Sequence, residues 1–281
     1  MKDNSDNQIF EKAPLRDRMT VYVGVFVVLL VSWFYILGMG WHMNTLPFVE
    51  NKMMNMPMEK SMGFLDTILM WMPPSSGSWV LSDFVLLFLM WSVMMIAMMT
   101  PSILPMLMLF TTLNARNKSK GKDTSSTLLL LAGYLMSWVL FSLVITLPEY
   151  AMHKSGLLNP MMEPTHAYLG SVMLVIAGIY QFTPFKDACL TVCQSPLTFL
   201  MNNWKDGNLG AFLVGYKHGF YCIGCCWALM LTLFALGVMN IMWVMVLTIF
   251  VLFEKLSYKN PLLFRRVAGY TFILWGIFLV Y

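Results

Sequence analysis

All five cysteines of this 281-residue chain lie between positions 189 and 226. Cys222, Cys225 and Cys226 follow His218 at spacings of four, seven and eight residues. On an α-helix, at about 100° per residue, they fall at about 40°, −20° and 80° from His218. One helix face, an arc of about 100°, then presents three sulfurs and an imidazole. Thiolates, thioethers and imidazole suit soft ions, so copper(I) is the first candidate ligand and zinc the second. Cys189 and Cys193 form a second pair at i, i+4 between Pro184 and Pro196. The two groups meet only if residues 184–196 fold back into the protein interior; otherwise there are two sites. One helix cannot surround an ion. A further ligand must come from Cys189 and Cys193, or from Met95, Met98 or Met99 upstream.

Two other uses of these cysteines compete with metal binding. Cys222-Ile-Gly-Cys225 is formally a C-x-x-C pair, which suits a membrane thiol–disulfide oxidoreductase. Such enzymes place the attacking thiol at an accessible, electropositive helix start, whereas this one is mid-helix. Free cysteine is also a small buried hydrophobe, which suits a structural subunit of a larger membrane complex. Against mere packing stand the confinement of all five to one window and the nearby His218 and Lys217. Lys217 is placed at the depth of Cys222, and Glu254 is the first carboxylate to expect beside it. The chain shows no nucleophile–base pair, no phosphate loop and no C-x-x-C-H haem attachment.

The elements that must position these residues are apolar helices. Mean hydropathy is +0.68 and charged residues make up 11%, against roughly 25% in a soluble domain. The composition predicts an all-α, polytopic transmembrane bundle of about seven helices, with six as the alternative. Residues 1–19 form a polar tail and 20–281 a single transmembrane domain. The expected helices cover 20–41, 81–113, 128–147, 166–182, 209–236, 238–253 and 264–281. Pro184 is expected to end the fourth, and Gly237 to begin a tight turn after the fifth. Pro101 and Pro105 are expected to kink the second, with Thr100 and Ser102 available to satisfy freed backbone groups.

Methionine is abundant at 28 residues, as flexible filler or as soft ligands. The 42–80 link carries His42, Met43, Met53, Met54, Met56, Met58 and Met62, and reads as an interfacial stretch or a copper(I)-capturing one. Glu149, His153, Glu163 and His166 fall in the expected 148–165 link, where they could bind a metal but are read as solvated.

The segments MWSVMMIAMMTPSILPM, YQFTPFKDACLTVCQSP and GYKHGFYCIGCCWALM, with the Glu254–Lys255 pair, resemble a bacterial and archaeal family of uncharacterised, predicted metal-binding integral membrane proteins. The resemblance covers about residues 80–256. It implies a membrane helical bundle and a bound metal, without a mechanism. It draws attention to Met95, Met98, Met99, Tyr180, Gln181, Lys186, Cys189, Cys193, His218, Cys222, Cys225, Cys226 and Glu254. Where family segments more often read CRSP, this chain has Gln194, which removes a positive charge beside Cys193.

The net charge of +4 is small and its basic residues sit in particular links, so the expected partners are the lipid bilayer, the metal ion and other membrane subunits, and not nucleic acid. One set of alternate links carries Lys2, Lys12, Arg16, Arg18, Arg116, Lys118, Lys120, Lys122, Lys186, Lys205, Lys255, Lys259, Arg265 and Arg266. The other carries Lys52, Lys60 and Lys154 alone. Positive residues stay inside, so the expected location is the prokaryotic cytoplasmic membrane, amino terminus inside and carboxyl terminus outside. Reporter fusions check this: residue 120 is expected inside, and residues 160 and 281 outside. A cytoplasmic signal at 281 would refute it.

Overall fold

The computed structural model describes residues 14–42, 79–119, 121, 124–159, 162–256 and 261–280. Among the described residues there are nine helices and no strand: α1 (Leu15–His42), α2 (Leu81–Ser119), α3 (Thr127–Lys154), α4 (Ala167–Tyr180), α5 (Pro184–Gln194), α6 (Pro196–Asn203), α7 (Gly207–Leu236), α8 (Ile241–Leu256) and α9 (Pro261–Phe278). The all-helical class is as expected. The count of about seven spans is not. Four helices, α1, α2, α3 and α7, are long and apolar enough to cross a membrane. A fifth results if α4 and α5, bent by 66° at their junction, form one span.

Local chemistry explains the differences. Helix α4 stops at Tyr180, ahead of Pro184 as expected, but Pro184 also opens a new helix: it occupies the first turn of α5, where its missing N–H costs nothing. Thr183 caps that helix by accepting from the Lys186 backbone N–H at 3.3 Å. Pro196 opens α6 in the same way, so the expected 184–208 link is two helices. Pro148 lies inside α3, which runs on to Lys154. The expected solvated link residues Glu149 and His153 are therefore helical and buried. In α2, Thr100 and Ser102 donate to the Ile96 and Met99 carbonyls, not to those of Ala97 and Pro101 that the prolines free. Gly237 does turn the chain, with φ +90°, between α7 and α8. The methionine-rich stretch 43–78 lies outside the described residues.

The core is α2, α3 and α7. Helices α2 and α3 are antiparallel: Trp91 meets Glu149, Ser102 meets Tyr134, and Thr111 meets Thr127. Helix α7 runs parallel to α3 at very close approach. A Cβ at Gly215 would run into the Leu130 carbonyl, and one at Gly133 into that of Phe212. A Cβ at Gly219 would strike Ser137, whose hydroxyl donates to the Tyr216 carbonyl at 2.8 Å. Small residues let the backbones touch, which is how apolar helices gain packing where lipid offers no hydrophobic gain. Helix α8 then retraces the second half of α7, about 21 Å at 1.5 Å per residue, and ends with Lys255 beside Cys222. Helix α9 packs on α4 through Gly178, Gly269 and Gly276.

The α3–α7 seam should therefore be intolerant of added volume. Gly215→Ala is expected to cost on the order of 1–3 kcal/mol and to lower the melting midpoint of the detergent-purified protein. Gly170→Ala is the control, because its Cβ would meet Ala235 at an ordinary 3.6 Å. Equal midpoints for the two variants would contradict this packing.

Candidate metal centre

The fold brings the two cysteine groups together. The sulfurs of Cys193, Cys222 and Cys225 all lie within 4.8 Å of one another. Cys193 Sγ is 3.9 Å from Cys225 Sγ, and Cys226 Sγ is 3.2 Å from Cys225 Sγ. Cys225 also donates its thiol to the Cys222 carbonyl at 3.1 Å. The α4–α5 bend makes this possible by laying α5 along α7. Gly224 leaves room for Cys189 there: a Cβ would lie 2.7 Å from Cys189 Sγ and the thiol would have to shift. The Tyr180 hydroxyl donates to the Gly224 carbonyl and pins the same crossing.

Three residues that sequence reasoning did not place at the site surround Cys222. The Lys255 ammonium sits 2.7 Å from Cys222 Sγ and donates to Ser102 Oγ at 3.0 Å. The Tyr134 hydroxyl lies 3.0 Å from the same sulfur and 3.2 Å from Ser102 Oγ. Ser102 in turn donates to the Met99 carbonyl at 2.8 Å. These residues come from α2, α3 and α8, so no spacing along the chain relates them to the cysteines. The only signal was the Glu254–Lys255 pair, a charged dipeptide ending an apolar run.

Glu254 faces the other way. Its carboxylate pairs with the Lys186 ammonium at 2.8 Å, and both side chains are essentially inaccessible, 1% and 0% exposed. Gln194 Nε2 donates to the Glu254 carbonyl at 3.0 Å and so ties α5 to α8. The expected Lys217–Glu254 partnership is thereby overturned. Lys217 is exposed and donates to Asn203 Oδ1 at 2.6 Å. Its position at −100° on α7 turns it away from the buried thiol face.

The remaining predicted residues are placed as follows. Cys189 is buried against Gly224, outside the group of three sulfurs. His218 is buried on the thiol face, with ring centroids 6.0 Å from Tyr134 and 5.1 Å from Phe199, and its Nδ1 has no hydrogen-bond partner among the described residues. Met95, Met98 and Met99 are all fully buried in α2. Met99 contributes its carbonyl to the Ser102–Tyr134 network. Far along the α2–α3 seam, Glu149 accepts from the Trp91 indole, and His153 Nδ1 accepts from the Trp79 indole at 3.1 Å. Glu163 accepts from Asn159 at 3.1 Å. Among the described residues these acidic groups and histidines do not assemble into a metal-sized cluster.

The model of one protein family, PpoB2, described as a copper chaperone, matches residues 88–279, more than half of the chain. That range contains every residue of the thiol centre. The match supports the metal-related part of the resemblance noted from the motifs, under a different family name. No curated protein and no solved structure matches the chain.

The buried Lys186–Glu254 pair yields a test of how the centre is held. Replacing one partner strands the other's charge, at a cost of about 3–5 kcal/mol, whereas replacing both by apolar residues is often neutral. Lys186→Met is therefore expected to lower the melting midpoint well below that of the Lys186→Met/Glu254→Leu double variant. A double variant less stable than the single would show that the pair contributes more than mutual neutralisation.

Proposed function

The chain belongs to the PpoB2 copper chaperone family, and on that premise we propose that it is a membrane-embedded chaperone that holds copper(I) on Cys193, Cys222 and Cys225. One observation carries the reading: three sulfurs from two separate helices stand within 4.8 Å of one another. Metal–thiolate bonds of about 2.3 Å in a planar three-sulfur site place the sulfurs about 4.0 Å apart. The 3.9 Å between Cys193 and Cys225 already has that spacing. Cys226, at 3.2 Å from Cys225, stands close enough to exchange with it.

The surroundings suit a soft monovalent ion. The donors are sulfurs, and no oxygen-rich shell of the kind hard cations require surrounds them. Thiolate is the ligating form of cysteine, and negative charge in an apolar interior needs a counter-charge. Lys255 supplies one, 2.7 Å from Cys222. Three thiolates, one copper(I) ion and one ammonium sum to −1, so the ion and Lys255 together offset all but one charge of the loaded centre. Met95, Met98 and Met99 offer thioethers on the adjoining helix. The chain sits in the cytoplasmic membrane of a prokaryote, with lipid against its exposed apolar faces, and gives its ion to another protein or moves it across the bilayer.

The test is to purify the full chain without oxygen, load it with copper(I) and record its X-ray absorption spectrum. Wild type is expected to hold an all-sulfur copper(I) ion. The variant with Cys193, Cys222 and Cys225 all changed to serine is expected to lose it. Retention of that ion by the triple variant would refute the assignment. Zinc in place of copper would keep the site and change the cargo. A metal-free protein with a Cys193–Cys225 disulfide would favour thiol–disulfide exchange instead.

A further inference from the structure

The thiol centre is sealed from most directions by helices, and a chaperone must let its ion go. Cys222 and His218 are one turn apart on the same face of α7, with side chains about 5–6 Å apart at Cβ. His218 is only 4% exposed, yet its Nδ1 has no hydrogen-bond partner among the described residues. A buried ring nitrogen is normally bonded, and satisfied histidines of packing cores are. Behind His218 stands Phe199 of α6, with ring centroids 5.1 Å apart. Beyond Phe199 a cavity of about 300 Å³ lies between α5, α6 and α7. Thr191, Ser195, Asn202 and Asn203 line it together with Val192, Phe199 and Tyr221, so its wall is mixed and mostly apolar. Sulfur, imidazole, aromatic ring and cavity thus follow one another outward from the centre.

Resting on the copper reading above, we propose that His218 is a transfer ligand: copper(I) leaves the three sulfurs through a two-coordinate position between Cys222 and the His218 imidazole, then passes Phe199 into the α5–α6–α7 cavity. Imidazole and thiolate both suit this ion. Bonds of about 2.3 Å to sulfur and about 2.0 Å to nitrogen bridge a gap of about 4 Å, within reach of neighbours at i, i+4. The copper stays in its +1 state. Its bonds to Cys193 and Cys225 break, the bond to Cys222 is kept and one bond to His218 forms. Water reaching the cavity supplies protons to the two sulfurs released; a soft-ligand acceptor entering the cavity then bonds the ion as its bonds to His218 and Cys222 break, and Cys222 takes a proton in turn. Helix α6 has only eight residues and is bounded by Ser195, whose φ and ψ are non-helical, and by Trp204. It is the short element that carries Phe199, so a small displacement of α6 opens the way out.

The experiment measures release. Full-length protein loaded with copper(I) is mixed without oxygen with excess bathocuproine disulfonate, and the coloured copper(I) complex is followed in time. His218→Gln is expected to keep the all-sulfur ion by X-ray absorption but to release it at least about tenfold more slowly, a barrier change of about 1.4 kcal/mol. Phe199→Ala is expected to release faster than wild type. In a His218→Ala variant, added free imidazole is expected to restore the rate, which a purely structural role for the ring would not allow. Wild-type release rates in His218→Gln, with the sulfur-bound ion intact, would overturn the transfer role and leave the copper centre standing. Absence of a sulfur-bound ion in wild type would overturn both.

Discussion

The structure depends on how it disposes of charge in an apolar interior. Two adjacent residues at the end of α8 do most of this. Glu254 turns toward α5 and meets Lys186 at 2.8 Å. Lys255 turns toward α7 and meets Cys222 at 2.7 Å. An isolated ion at such a place is prohibitively costly, so Glu254, Lys186 and Lys255 each need a polar partner there, and a Cys222 thiolate would need Lys255. That requirement locates the end of α8, brings α5 back against α7 and sets the depth of the sulfur cluster. A charged dipeptide that reads as a helix terminus is the point where three helices are tied together.

Close backbone approach is the second condition. Tyr134 reaches Cys222 because α3 and α7 touch along Gly133, Gly215 and Gly219. Cys193 reaches the thiol face because α5 packs on α7 where Cys189 lies against Gly224. The glycines of α7 alternate between these two neighbours, Gly215 and Gly219 facing α3 and Gly224 facing α5. One helix thereby receives partners on both sides, and its cysteine arc becomes the centre of the molecule instead of a surface stripe.

The same interior holds a second buried polar group with a different character. Glu149 is fully buried; one oxygen accepts from Trp91 and the other has no partner among the described residues. It stands about 16 Å along α2 from Ser102, as eleven residues at 1.5 Å require. Indoles hold both Glu149 and His153, whereas an ammonium and a phenol hold Cys222. Aromatic N–H donors orient a group without neutralising it, which separates that end of the seam from the thiol centre in chemistry as well as distance.

By itself the sequence determined whatever depends on neighbours a few residues apart. Apolar runs of helical length made the chain all-α, and the spacing of Cys222, Cys225 and Cys226 put three sulfurs on one face, because helical periodicity is a local property. It did not determine the number of spans. A proline after an apolar run is compatible with a helix ending before it and with a new helix starting at it, and Pro184 and Pro196 did the latter. Lys217 and Lys255 show the same limit: the first lies within an apolar run and the second ends one, and only packing turned the first outward to Asn203 and the second inward to Cys222. Tyr134, Ser102 and Cys193 reached the site from three other helices, since contacts between residues far apart in the chain follow from which helix faces can bury one another, and that is decided only when the whole bundle closes.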